Sequence, residues 1–362
     1  FSGESGGKIM RIAIALVQVP FITGGAEILV QMLRNELQKR GHEAEIVTIP
    51  FKWYPNETLR NCMKMGEMID LTSVNGRTID MVIAMKFPAY YLKHEHKVIW
   101  LMHQHRQAYD LWGTPYGDIH KTSDGEELRS LIMEKDKQHL LEAKAIFTIA
   151  QNTSKRLKHY NGIDSTALYH PPLDYEKLYC ADYGEYVFYI SRISSIKRQH
   201  MLINAAKYVK SDAKIIIAGS GSDKEKEKIF ELIKENHLED KVKFAGRITD
   251  EEKINYYANC LGVYFGAYDE DYGYITLESF FAKKPVIVHS DAGGPLEFVE
   301  DGVNGFIVDT TPQAVAEKID QLFYDKQMAK RLGEQGYQKL VDMNLSWDYV
   351  IEQLIKGAGY DE

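Results

Sequence analysis

The sequence predicts an α/β chain of two doubly wound domains, each a parallel sheet with helices on both faces. Three observations carry that prediction. Short β-branched, apolar runs alternate with helix-patterned stretches along the chain. Those runs are continuously apolar, as in strands buried on both faces. The alternation breaks once, near residues 170–184, where Pro171-Pro172 is followed by the polar, turn-rich DYEKLYCADYGEY. A length of 362 residues suits two domains at roughly 100–200 residues each.

The first series has strand-like runs at Arg11–Val19, Ala44–Ile49, Met81–Met85, Val98–His103, Ala145–Ala150 and Thr166–Tyr169. Its clearest helix is Ala26–Arg40, stopped by Gly41. The second series has strands at Tyr186–Ser191, Ile215–Ala218, Val242–Ala245, Gly262–Phe265, Pro285–His289 and Phe306–Val308. Helices are expected at Gln199–Lys210, Tyr274–Ala282 and Ala314–Tyr324, with a last one at Ser346–Lys356. The expected divisions are 1–9, 10–180, 181–345 and 346–362. FSGESGGKI, residues 1–9, reads as a cloning remnant, with the native start at Met10 and no signal peptide.

Composition narrows the class. With 44 basic and 52 acidic side chains, the formal charge is -8, the wrong sign for a nucleic-acid binder. No run approaches the ~18 apolar residues of a membrane span. Cys62, Cys180 and Cys260 form no disulfide framework and no zinc spacing, which fits a reducing, cytoplasmic setting.

Ligands of doubly wound sheets bind beyond the carboxyl ends of the strands, so motifs in those loops matter most. Gly24-Gly25 follows the first strand and precedes a helix; such a turn lets a backbone approach a phosphate or simply eases a tight bend. Arg192 and Lys197 lie in the loop after the first strand of the second series, where two cations suit a diphosphate. Glu270 precedes a helix that carries Glu278 among Leu277, Phe280 and Phe281. A carboxylate so placed needs partners, and ligand hydroxyls would serve. Asp291-Ala-Gly-Gly-Pro-Leu-Glu297 adds another glycine turn before a helix-starting proline.

Together these motifs resemble the nucleotide-binding half of retaining GT-B glycosyltransferases, specifically glycosyltransferase family four, within the glycosyl transferases group 1. The resemblance rests on Arg192-x4-Lys197, AGSGSD at 218–223, VKFAGRITDEE at 242–252, Glu270-x7-Glu278, PVIVHSDAGGPLE at 285–297 and DGVNGFIVD at 301–309. It extends through Gly24-Gly25, the HQH of residues 103–105, and the Trp347 helix, which in that family crosses back onto the first domain. The implied fold is GT-B: two Rossmann-like domains, the N-terminal one binding acceptor and the C-terminal one binding nucleotide sugar, with the active site in the cleft between them.

By position, Arg192 and Lys197 would hold the diphosphate, with Gly24 and Gly25 approaching it or the acceptor. Glu278 would take the ribose hydroxyls, Glu270 would contact the transferred sugar, and His103 would lie near that sugar. The Tyr272, Gly273, Tyr274 and Ile275 segment, Asp291–Gly294 and Gly219 would line the donor, with Arg247 and Ile248 beside the base. His103, Arg192, Lys197 and Glu270 form the implied catalytic set. The sequence departs from the family at Asp271-Tyr272-Gly273, where Gly-Phe-Gly is usual, and at Ser279, where Ala is usual; this blurs the donor sugar.

The implied enzyme is a metal-independent retaining hexosyltransferase without a cofactor. It would use a nucleotide-diphosphate sugar, expected to be a UDP-sugar, and a saccharide or lipid-linked acceptor. Bacterial exopolysaccharide, lipopolysaccharide or glycolipid synthesis is the implied setting, in the cytoplasm or at the inner face of its membrane, with peripheral membrane contact. Asp269-Glu270-Asp271 is read as sugar-contacting rather than metal-binding. The long loop Arg106–Gly125 offers Tyr109 and Trp112 as acceptor-stacking rings, or as anchors of a surface loop. Competing readings are a sucrose-forming synthase, a sugar phosphorylase, a nicotinamide-dependent dehydrogenase and a degenerate, non-catalytic transferase-like subunit.

Overall fold

The structure, a computed structural model, describes residues 9–360. All but the last residue of the expected remnant at 1–9 lie outside them. The chain divides into two units, residues 1–173 with 346–362, and residues 174–345.

The first unit begins β1 (Arg11–Gln18), α1 (Gly25–Lys39), β2 (Glu43–Pro50) and α2 (Asn56–Met68). A two-stranded hairpin follows, β3 (Ser73–Val74) and β4 (Arg77–Thr78), which the sequence reading lacks because each strand is only two exposed residues. Then come β5 (Met81–Ala84), β6 (Lys97–Leu101), α3 (Gly125–Leu141), β7 (Ala145–Thr148), α4 (Gln151–Asn161) and β8 (Thr166–Ala167). The sheet order is β2-β1-β5-β6-β7-β8, all parallel. Ile12 to Val17 are each at most 3% exposed, which is why β1 reads as an unbroken apolar run.

The second unit has β9 (Tyr186–Ile190), α5 (Gln199–Ala206), β10 (Lys214–Ala218), α6 (Asp223–Glu235), β11 (Val242–Gly246), α7 (Asp250–Asn259) and β12 (Gly262–Phe265). It continues with α8 (Tyr274–Phe281), β13 (Val286–His289), β14 (Gly305–Val308), α9 (Pro312–Tyr324) and α10 (Lys326–Met343). Its order, β11-β10-β9-β12-β13-β14, is also all parallel. The winding reverses between β1 and β5 in the first sheet and between β9 and β12 in the second. Such switch points open a crevice at the carboxyl ends of the strands.

The units divide at Leu173/Asp174, not at 180/181. Residues 174–184 are pinned to the second unit: the Ala181 and Asp182 amides donate to the Ala258 carbonyl and that of Gly184 to Asn259. The Tyr175 ring packs 4.8 Å from Phe281. The last helix, α11 (Trp347–Gly357), belongs to the first unit. Trp347 meets the fully buried Trp100 edge-on at 6.2 Å. Gly357 lies so near Phe147 that a Cβ would come within 2.8 Å of its ring. Burial of Val350, Ile351 and Leu354 stabilises this docking by about 1.5–3 kcal/mol each.

Candidate functional site

The switch point of the second sheet gathers most of the expected residues. Lys197 follows β9 and Glu270 follows β12, and their side chains form an ion pair, each about one-fifth exposed. The Lys197 ammonium also lies 5.8 Å from the centre of the Phe265 ring. The Tyr189 hydroxyl donates to the Lys197 carbonyl, fixing the backbone beneath it. Arg192, five residues earlier, is exposed.

Close backbone approach joins the surrounding loops. Gly219, after β10, has φ +144, and a Cβ there would lie 1.8 Å from the Ser191 carbonyl oxygen; only glycine fits. Its amide donates to the Gly246 carbonyl at 2.7 Å, tying the β10 and β11 ends together. Arg247 is exposed and Ile248 half-buried just beyond. The loop after β12 pairs with the loop after β13. Asp269 and Glu270 amides donate to the Asp291 and Ala292 carbonyls, and the Gly294 amide donates back to Glu270 at 2.7 Å. The Tyr268 amide donates to Ile196, closing the ring of loops.

Sequence reasoning missed Arg198. Its guanidinium holds Asp291 through two hydrogen bonds of 2.8 Å and lies 5.2 Å from the Tyr268 ring centre. It sits in left-handed backbone, φ 53, immediately after Lys197. A positive φ at a non-glycine residue is the structural signal, and the sequence shows only another cation in a charged loop.

Gly273, at φ +89, caps α8 and presents its first turn, with Tyr272 buried and Tyr274 and Ile275 half-buried. Glu278 is 9% exposed and has protein partners: Lys253 Nζ at 3.0 Å and the Tyr257 hydroxyl at 2.8 Å. Burial alone would lower the Lys253 ammonium, but the carboxylate of Glu278 overrides it and holds Lys253 above its ordinary value. Burial, then the same carboxylate, pushes the Tyr257 and Tyr274 phenols up. The carboxylate is thus oriented by two protein donors, with acceptor capacity left for a ligand hydroxyl.

In the first unit, the Gly24 amide donates to Glu27 Oε2 at 2.7 Å, so α1 starts with its own carboxylate beside Gly24 and Gly25. A diphosphate there meets like charge unless Glu27 turns away. His103 and His105 do not end a strand, because β6 stops at Leu101. The His103 Nδ1 donates to the Gln104 carbonyl at 2.6 Å. His105 packs between Phe51 and Phe87, and burial pushes its imidazole down to about 3.

The expected acceptor role of Tyr109 is corrected. Tyr109 is 1% exposed in the first unit's core, and its hydroxyl donates to the buried Asp136. A ring enclosed on both faces cannot stack on a sugar. Trp112 is half-buried, with the Arg129 guanidinium 4.7 Å from its ring centre. The nearby depression of about 410 Å³ is lined by other aromatic residues, Trp53 and Tyr54, with Asn56, Asp118 and Asp124.

Residues 177–339, nearly all of the second unit, match the family described as glycosyl transferases group 1. The match covers slightly under half of the chain. An uncharacterized glycosyltransferase of Methanocaldococcus jannaschii is 28% identical over 192 residues, 52% of this chain and 49% of that protein. The chain thus spans about half the length of that curated relative. Two solved structures match over nearly all of both chains and share the GT-B fold with this chain. Sucrose-phosphate synthase from Thermosynechococcus elongatus has a TM-score of 0.78 at 17% identity, covering 96% of this chain and 98% of its own. HepE of Anabaena, solved in complex with UDP-glucose, has a TM-score of 0.68 at 16% identity, covering 97% and 99%.

Proposed function

We propose that this chain transfers a hexosyl group from a nucleotide-diphosphate sugar, of the UDP class, to a saccharide or lipid-linked acceptor, with retention at the anomeric carbon and without a metal. The observation that carries the reading is the clustering of Lys197, Glu270, Glu278 and the glycine-bearing loops at the second switch point. The group 1 family match across that unit and the UDP-glucose bound by HepE, which shares the fold, support this donor class.

The chemistry follows from charge. As the glycosidic C–O bond breaks, the diphosphate gains negative charge and the sugar becomes oxocarbenium-like. Lys197, Arg192 and the first amides of α8 would meet the leaving phosphate in a preorganised site. The Lys197–Glu270 pair would open on donor binding, leaving the cation for phosphate and the carboxylate for sugar hydroxyls. Glu278, steadied by Lys253 and Tyr257, would take the ribose hydroxyls. In the retaining route, the departing phosphate oxygen accepts the acceptor's proton, so no separate protein base is required. An exopolysaccharide, lipopolysaccharide or glycolipid product fits this chemistry. Among the described residues no helix is long and apolar enough to cross a membrane, so membrane contact would be peripheral.

The test is transfer and donor hydrolysis by wild type, Lys197→Ala and Glu278→Ala. Each variant is expected to fold and to lose about two orders of magnitude in turnover, the scale of one preorganised charge contact. Proton NMR of the product should show the donor's anomeric configuration. Near-wild-type turnover in both variants would remove the site from this function.

A further inference from the structure

The first unit contains a line of buried polar groups that the transfer chemistry does not use. Asp136 on α3 is fully buried and receives three phenols: Tyr90 at 2.9 Å and Tyr91 at 2.8 Å on Oδ1, and Tyr109 at 2.6 Å on Oδ2. Among the described residues, only Tyr109 continues outward. Its oxygen accepts from Asn161 Nδ2, the last residue of α4, at 3.2 Å. Asn161 Oδ1 accepts from Gln104 Nε2 at 2.6 Å, and the Gln104 main-chain carbonyl accepts from His103 Nδ1 at 2.6 Å. Gln104 is 1% and Asn161 9% exposed, so water does not compete for these bonds.

Each link has one donor sense. An ionised Asp136 only accepts, so the Tyr109 hydroxyl must donate and its oxygen must receive. That orients the Asn161 amide, which orients the Gln104 amide. A carbonyl cannot donate, so His103 carries its proton on Nδ1, and in the neutral ring Nε2 is the acceptor.

The geometry points to Tyr109, Asn161 and Gln104 as positioning residues that transmit the orientation of Asp136 to the loop after β6 and hold in place the Gln104 carbonyl that sets the tautomer and position of His103. This rests on the reading that places His103 beside the transferred sugar. The relay ties the catalytic-edge loop to a rigid carboxylate deep in the core. It also explains why a tyrosine from an aromatic loop is spent on an internal hydrogen bond.

Tyr90 and Tyr91 provide the control. They bond the same carboxylate from the same core, but neither is linked to Asn161. Full-length protein with ¹⁵N-labelled histidine reports the His103 ring nitrogens, assigned with His103→Ala. Wild type, Tyr90→Phe and Tyr91→Phe should show a single Nδ1–H tautomer. Tyr109→Phe, and Gln104→Met at the other end, should show a tautomer mixture. In transfer assays Tyr109→Phe and Gln104→Met should lose about tenfold in kcat with donor KM unchanged, while the Tyr90 and Tyr91 variants keep wild-type kcat. Should Tyr109→Phe fold poorly, Gln104→Met carries the test. Identical His103 spectra in all variants, or equal kcat losses in Tyr90→Phe and Tyr109→Phe, overturn the relay. Altered spectra with His103→Ala fully active leave the relay standing and remove His103 from the proposed chemistry instead.

Discussion

Glu278 and His105 show how far a single residue can be read from its neighbours in sequence. Leu277, Phe280 and Phe281 mark Glu278 as a carboxylate in apolar surroundings, and the structure places it at 9% exposure. Its partners Lys253 and Tyr257 lie on α7, and no local pattern links them to it. Tyr109 fails for a related reason: an aromatic residue in a polar loop looks the same whether it faces solvent or turns inward to Asp136. His105 makes a stability prediction. Its folded pKa, about 3, lies far below the usual 6.5, so its neutral form stabilises the fold above pH 6.5. That contribution is lost as pH falls from 6.5 toward 3, because the unfolded chain takes up the proton and the folded one does not. His105→Phe removes this term and a buried Nε2 without a hydrogen-bond partner among the described residues. Urea unfolding should find the variant within about 1 kcal/mol of wild type at pH 8, the usual scale of a shape-conserving core change. At pH 5 it should gain about 2 kcal/mol relative to wild type, from 1.5 pH units below the unfolded pKa. A difference independent of pH would show that the imidazole is not held neutral.

At the scale of elements, the apolar runs locate every strand of the two large sheets, clearest where both faces are buried as in β1, β5, β6, β12 and β13, while the edge strands β2 and β11 carry exposed Glu45 and Lys243. Their ends are less legible. Met102 is buried although β6 has ended, so burial outlasts the ladder and draws the expected strand out to His103. Glycine turns are visible in sequence, but which of them are irreplaceable depends on what a Cβ would strike. Gly219 and Gly41 make the contrast. At Gly219 a Cβ meets the Ser191 carbonyl at 1.8 Å, whereas at Gly41, φ +88, nothing lies within 4 Å. Gly41→Ala should cost about 1 kcal/mol, the left-handed strain alone. Gly219→Ala should cost about 2–4 kcal/mol, since strain is added to a clash with fixed backbone. It should also weaken donor binding at least tenfold by parting the loops after β9 and β10. Urea midpoints and donor-induced thermal shifts measure both; equal costs at the two positions would refute the close-approach argument.

For the molecule as a whole, length and the Pro171-Pro172 break indicate two α/β units, but the divide comes at Leu173/Asp174 because main-chain bonds to Ala258 and Asn259 hold the following segment. Those bonds join residues far apart in sequence and leave no compositional trace. Net charge needs the same distinction between global and local. A chain with 52 acidic and 44 basic side chains has a field that repels a nucleotide diphosphate at long range. In the proposed reading, binding relies instead on cations at contact distance, Lys197 and Arg192. The acids nearest the proposed phosphate position are already engaged: Glu270 pairs with Lys197 and Asp291 with Arg198. A divalent ion would have to displace those cations, or the sugar hydroxyls that take up Glu270 once the donor is bound, to be held there. Transfer should therefore persist at full rate in excess EDTA, with added magnesium or manganese changing it less than twofold. Complete loss on chelation, restored by either ion, would assign Asp269-Glu270-Asp271 to metal and return Lys197 to a structural ion pair.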